Sequence, residues 1–139
     1  MNPVTQYPAA PASQALAWFH QKLQFETDCA DVHSALSQGN APGFVLLHVV
    51  GGEAQFARRH IPGAVHLPHR DIRPEVMARW PEDTLFVVYC AGPHCNGADQ
   101  AAMKLAALGR PVKLMIGGLT GWADEGFAFA STENATEHE

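Results

Sequence analysis

The sequence predicts an α/β domain in which a mostly parallel sheet is covered by helices on both faces. Short apolar runs carry that expectation: FVLLHVV (44–50), AVHL (64–67), LFVVYC (85–90) and VKLMI (112–116), each bounded by turns rich in Gly or Pro. A segment with helical spacing separates the last two runs. Strands that alternate with helices pair in parallel, because each crossover lays its helix across a sheet face. At 139 residues the chain is one domain's worth, enough to bury about two-thirds of its unfolded surface.

Residues 1–12 hold three prolines among small residues and form a loose lead-in. Ser13 can cap a helix in which Leu16, Phe19 and Leu23 share a face, and LQFET can follow as a short strand. Asp28 is the next cap, with Asp31 three residues on; Val32, Ala35 and Leu36 make the apolar stripe and Gly39 closes the helix. FVLLHVV, broken only by His48, reads as a strand buried on both faces. AVHL is the next strand, Pro74 opens a short helix to about Trp80, and LFVVYC and VKLMI are the remaining strands. After Cys95, a helix carries Ala98, Ala101, Ala102, Leu105 and Leu108 on one face and stops at Gly109. The domain expected from this spans 13–130, with 13–27 packed on it and 131–139 as a flexible polar tail.

Hydrophobic residues at 47% and charged residues at 17% describe a globular chain. The net charge of −5 leaves no electrostatic footprint for nucleic acid and no basic surface for an anionic membrane. No apolar run reaches the roughly 18 residues of a membrane span, and the N-terminus lacks the basic and apolar regions of a signal peptide. Three cysteines, Cys29, Cys90 and Cys95, suit a reducing compartment better than a disulfide framework, so a cytoplasmic location is expected.

The chemistry concentrates at Cys90, where an apolar strand ends and a helix is about to begin. Ligands of parallel α/β sheets bind beyond the carboxyl ends of the strands. The residues that follow, Ala91, Gly92, Pro93, His94, Cys95, Asn96 and Gly97, must curl before the helix starts, with Asn96 as its cap. A loop of this kind turns backbone N–H groups onto one point, an anion cradle reinforced by the helix dipole. A thiolate or persulfide on Cys90 would be that anion. From spacing alone, an inert, packed cysteine explains the position equally well.

Three separated pieces of the chain resemble the single-domain rhodaneses. In ARRHIPGAVHLP, His60, Ile61, Pro62, Gly63 and Ala64 match the family's Gly-His-Ile-Pro-Gly-Ala segment; VVYCAGPHCNGADQAA resembles its strand, active-site loop and helix, with Cys90 at the sulfur-carrying cysteine; Gly117, Gly118 and Trp122 match its closing Gly-Gly-x-x-x-Trp signature. The resemblance, from about Asp28 to Phe127, implies a rhodanese-like three-layer fold: a five-stranded, mostly parallel sheet with helices on both faces. It also implies sulfurtransferase chemistry without cofactor or metal. A small-molecule donor such as thiosulfate passes its outer sulfur to Cys90, and the persulfide hands it to cyanide, a thiol or a protein acceptor.

The sequence departs from that pattern in places. His48 and Val50 stand where the family usually has Asp and Arg, and Arg59 replaces the glycine before His60. Arg58 and Arg59 are candidate contacts for an anionic donor, or else an exposed pair without a task. His94 can tune Cys90 or bind substrate, or be a solvated loop residue. Cys95 is either a resolving thiol that closes a disulfide with Cys90 or a filler at the foot of the helix. His60 reads as a structural hydrogen-bonding residue. Related phosphatases and arsenate reductases use Cys-x5-Arg, but the sixth position after Cys90 is Asn96, which cannot clamp an oxyanion bidentately. A metal site drawn from Cys90, Cys95, His94, His60, His66 and His69 lacks the usual cysteine-pair spacing of structural zinc. The rival reading is a rhodanese-like module that binds a protein partner, or cycles as a thiol pair, with little turnover.

Overall fold

The computed structural model describes residues 2–132. Five strands, β1 (Glu26–Thr27), β2 (Val45–His48), β3 (Val65–His66), β4 (Phe86–Tyr89) and β5 (Val112–Met115), form one sheet in the order β1-β5-β4-β2-β3. Every pairing is parallel. The expected α/β architecture with helices on both faces is the one observed. The strands are shorter than the apolar runs, since the ladder ends where the chain must turn away into the crossovers.

Side-chain alternation along β4 divides the core. Phe86, Val88 and Cys90 face one way, with Leu47, Val49 and Met77, and are covered by Ala98, Ala101 and Leu105 of α5 (Gly97–Ala107). Val87 and Tyr89 face the other way, with Leu46, Cys29 and Val32 of α2 (Cys29–Leu36), and Leu119 and Trp122 of α6 (Gly118–Asp124). Two short helices, α3 (Glu53–Arg58) and α4 (Pro74–Met77), follow β2 and β3. Asp28 caps α2 as expected, its Oδ1 accepting the Asp31 N–H at 2.8 Å. Asn96 does not cap α5; its side-chain oxygen accepts from Gln100 Nε2 instead, at 2.8 Å. Gly109, with φ of 78°, ends α5, but Leu108 is exposed rather than on the buried face.

The N-terminal helix, α1 (Ala12–Phe25), runs through residues expected to be in the strand and buries none of its side chains. Leu16, Phe19 and Leu23 do share a face, but all are exposed. Periodicity shows that a helix has an apolar side, not that anything lies opposite it. At the other end Ser131 and Thr132 are tied to the Ala57 carbonyl at 3.0 and 2.9 Å, so the described chain stays attached beyond 130; the rest of the expected tail lies outside the described residues.

Candidate active site

Cys90 follows β4 directly, at the carboxyl edge of the sheet. It is 4% exposed, and its Sγ is bonded to Sγ of Cys95 as a disulfide, with the two Cα atoms 6.3 Å apart. In place of the thiolate that the cradle would hold, Cys90 is here a buried, disulfide-bonded sulfur. The reason is the tight loop: the Cys95 N–H donates to the Gly92 carbonyl at 3.3 Å, and this turn folds the second cysteine back over the first.

The base of the loop is held by α6. The N–H groups of Leu119 and Thr120 donate to the carbonyls of Cys90 and Ala91, each at 3.0 Å, and the Thr120 hydroxyl adds a second bond to Ala91 at 3.2 Å. The loop therefore supplies the acceptors that the first turn of α6 needs. Gly118 makes this approach possible. Its φ is +60°, and a methyl group there would collide with the Cys90 carbonyl. A methyl at Gly92 would lie 2.6 Å from Thr120 Oγ1. These supports were not visible in the sequence beyond the Gly-Gly pair itself.

Of the cradle residues, Gly97 is the one whose N–H meets a sulfur. It donates to Cys95 Sγ at 3.4 Å, at the first residue of α5. The N–H groups of Ala91, Gly92, His94 and Asn96 have no backbone acceptor among the described residues. A cavity of about 230 Å³ opens on the pair, lined by Cys90, Cys95, Gly92, Pro93, Asp99 and Gly118 among others. His94 is exposed and is not part of that lining.

Arg58 and Arg59 reach the loop from the opposite side. They line a second cavity, of about 430 Å³, with His48, Val50, Gln55 and Ala91, and the Arg59 guanidinium lies 4.6 Å over the Phe129 ring. The structure brings the arginines to the first residue of the loop, not into the cavity that the sulfurs share. A larger concavity of about 580 Å³ lies at the far end of α5. There the Arg110 guanidinium is consumed by the carbonyls of Met77, Trp80 and Pro81, which marks a structural feature.

His48 occupies the strand end where an acid was expected. It is 2% exposed, and its Nδ1 lies 2.6 Å from the Tyr89 hydroxyl, its partner across the β2–β4 ladder. The hydroxyl oxygen also accepts the Ile61 N–H at 3.2 Å. Burial, with His66 and His60 nearby, pushes the His48 pKa down to about 4. Burial likewise raises Tyr89. His60 has the structural role expected: Nδ1–H donates to the Phe56 carbonyl at 2.7 Å, and its backbone pairs with Ala130. No group of three His, Cys, Asp or Glu suited to a metal occurs among the described residues.

Cys29, the third cysteine, is buried on the other face of the sheet. Burial, then Asp28 and Glu125, push its pKa up to about 11, so it stays a thiol. No helix among the described residues is long and apolar enough to cross a membrane.

The chain belongs to the rhodanese-like domain family, whose profile matches residues 29–125. It is similar to the BH2092 protein of Bacillus halodurans, with 34% identity over 88% of each chain and a TM-score of 0.82. The rhodanese-like domain of the Alr3790 protein from Anabaena sp. shares 25% identity over 78% of this chain and 80% of that one, at a TM-score of 0.66. A thiosulfate sulfurtransferase from Pseudomonas aeruginosa shares the fold, with 24% identity over 79% of this chain and 20% of that one and a TM-score of 0.60. No curated protein matches the chain.

Proposed function

We propose that the protein is a cytoplasmic sulfurtransferase that carries sulfane sulfur as a persulfide on Cys90. The observation that carries this reading is the position of Cys90, at the carboxyl end of a central parallel strand and beside the N-terminus of α5. In the reduced protein its thiolate attacks the outer sulfur of a donor such as thiosulfate, and sulfite leaves. The loop N–H groups without backbone acceptors stabilise the charge on the transferred sulfur. Arg58 and Arg59 draw the anionic donor to the loop, and cyanide, a thiol or a protein takes the sulfur in the second half of the cycle. Family membership, and a thiosulfate sulfurtransferase of the same fold, support the assignment.

The test is the intact mass of pre-reduced Cys95→Ser protein after thiosulfate, compared with the Cys90→Ser, Cys95→Ser double variant. The single variant gains one reductant-sensitive sulfur atom and the double variant gains none; equal gain by both would overturn the assignment. The Cys90–Cys95 bond favours a second reading, a thiol-redox or protein-binding module without sulfur turnover. In that case thiosulfate adds no sulfur and releases no sulfite, and the reduced pair loses two hydrogens only to an added disulfide such as oxidised dithiothreitol, which is itself reduced to the dithiol.

A further inference from the structure

We propose that Cys95 is a resolving thiol: it attacks the inner sulfur of the Cys90 persulfide and expels the outer sulfur as sulfide, so that the protein releases sulfide from sulfane donors using a dithiol as reductant. The inference rests on the persulfide reading of Cys90 and adds the fate of the carried sulfur.

Three observations support it. The Cα atoms of the pair are 6.3 Å apart, inside the limit of about 7 Å for two bonded cysteines, and the sulfurs are in fact joined, so Cys95 reaches Cys90 within the fold. The Gly97 N–H, at the first residue of an eleven-residue helix, donates to Cys95 Sγ and not to Cys90 Sγ. That donor and the helix N-terminus are placed to stabilise a thiolate on Cys95 once Cys90 carries the sulfur, and the attacking sulfur of the resolving step is the one that must be ionised. Finally, Cys90 is 4% exposed with Cys95 bonded to it, so Cys95 is the nearest attacker of the inner sulfur of a persulfide on Cys90.

The chemistry balances without further reagents. Thiosulfate loses its S–S bond as Cys90 gains one, and sulfite departs. Cys95 thiolate then forms a bond to Cys90 Sγ while the bond from Cys90 Sγ to the outer sulfur breaks. The outer sulfur leaves with the electron pair and is protonated to hydrosulfide: it is reduced, and the two cysteines are oxidised. A dithiol reduces the Cys90–Cys95 bond by exchange and becomes a disulfide itself. In sum, thiosulfate and a dithiol give sulfite, sulfide and a disulfide.

The experiment is a single turnover. Fully reduced wild type, Cys95→Ser and Cys95→Ala are each given thiosulfate with no added thiol, and sulfite, sulfide and intact mass are followed. Wild type should release equal amounts of sulfite and sulfide and finish two hydrogens lighter, with the new bond mapped to Cys90–Cys95. Both variants should release sulfite, keep the extra sulfur and release sulfide at least about tenfold more slowly, since attack from another molecule lacks the effective concentration of a thiol in the loop. Dithiothreitol should make the wild type turn over repeatedly. Wild type that keeps its extra sulfur as long as the variants do overturns the resolving role and leaves the Cys90 carrier standing. Absence of sulfite release and of sulfur gain in all three overturns the carrier, and the resolving role with it.

Discussion

Gly97 is a residue with no room for a side chain. A methyl group there would sit 2.5 Å from Val50 Cγ1 and 3.4 Å from each sulfur of the pair. Gly97→Ala should cost about 1–3 kcal/mol through overpacking, read as a lowered Tm. Gly118→Ala should cost more, because the obstacle is the Cys90 carbonyl, which cannot rotate aside, and because φ is +60°. Tyr89→Phe removes the acceptor of the Ile61 N–H and the hydrogen-bond partner of His48, all buried. A loss of about 1–3 kcal/mol in urea unfolding is expected. The place of Cys90, just past a strand and ahead of a helix, was legible because its strand, its loop and its family segment are contiguous. The pairing of His48 with Tyr89 was not, since the two residues meet only through the register of β2 on β4.

The helices show what periodicity can and cannot reveal. Both α1 and α5 carry apolar residues at helical spacing, yet α5 buries Ala98, Ala101 and Leu105 while α1 buries nothing. Leu105→Ala should therefore cost about 2–5 kcal/mol and Leu23→Ala no more than about 0.5 kcal/mol, a contrast that denaturant midpoints would reveal. A comparable loss at Leu23 would mean that the apolar side of α1 is covered in solution. The long elements were readable because their patterns repeat over several turns. Two short ones were not: α3 has six residues and α6 seven. What holds α6 is an external pair of acceptors, the carbonyls of Cys90 and Ala91, and no pattern within its own residues announces them. Its Trp122 was visible as part of a family signature, and it proves to be a core side chain, 1% exposed, whose indole N–H donates to the Ala128 carbonyl.

At the scale of the molecule, the buried imidazole links stability to acidity. His48 has a pKa of about 4 when folded against 6.5 in its ordinary state, so the unfolded chain takes up the proton first. Its contribution is fully present above pH 6.5, is lost as the pH falls from 6.5 towards 4, and amounts to at most about 3 kcal/mol. The charged forms of His66 and His60 press in the same direction. His48→Asn, which cannot take a proton in this range, should flatten that part of the stability curve; an unchanged slope would assign the effect to other groups.

Consecutive residues, Tyr89 at the end of β4 and Cys90 just beyond it, look out on different helices. Parity alone keeps the sulfur chemistry and the phenol–imidazole pair on separate sides of the domain. Insertion of a single residue into Phe86–Tyr89 would exchange them, setting the phenol against α5 and a thiol beside the Ile61 amide. The chain length between Gly-rich turns here is a chemical specification as much as a structural one.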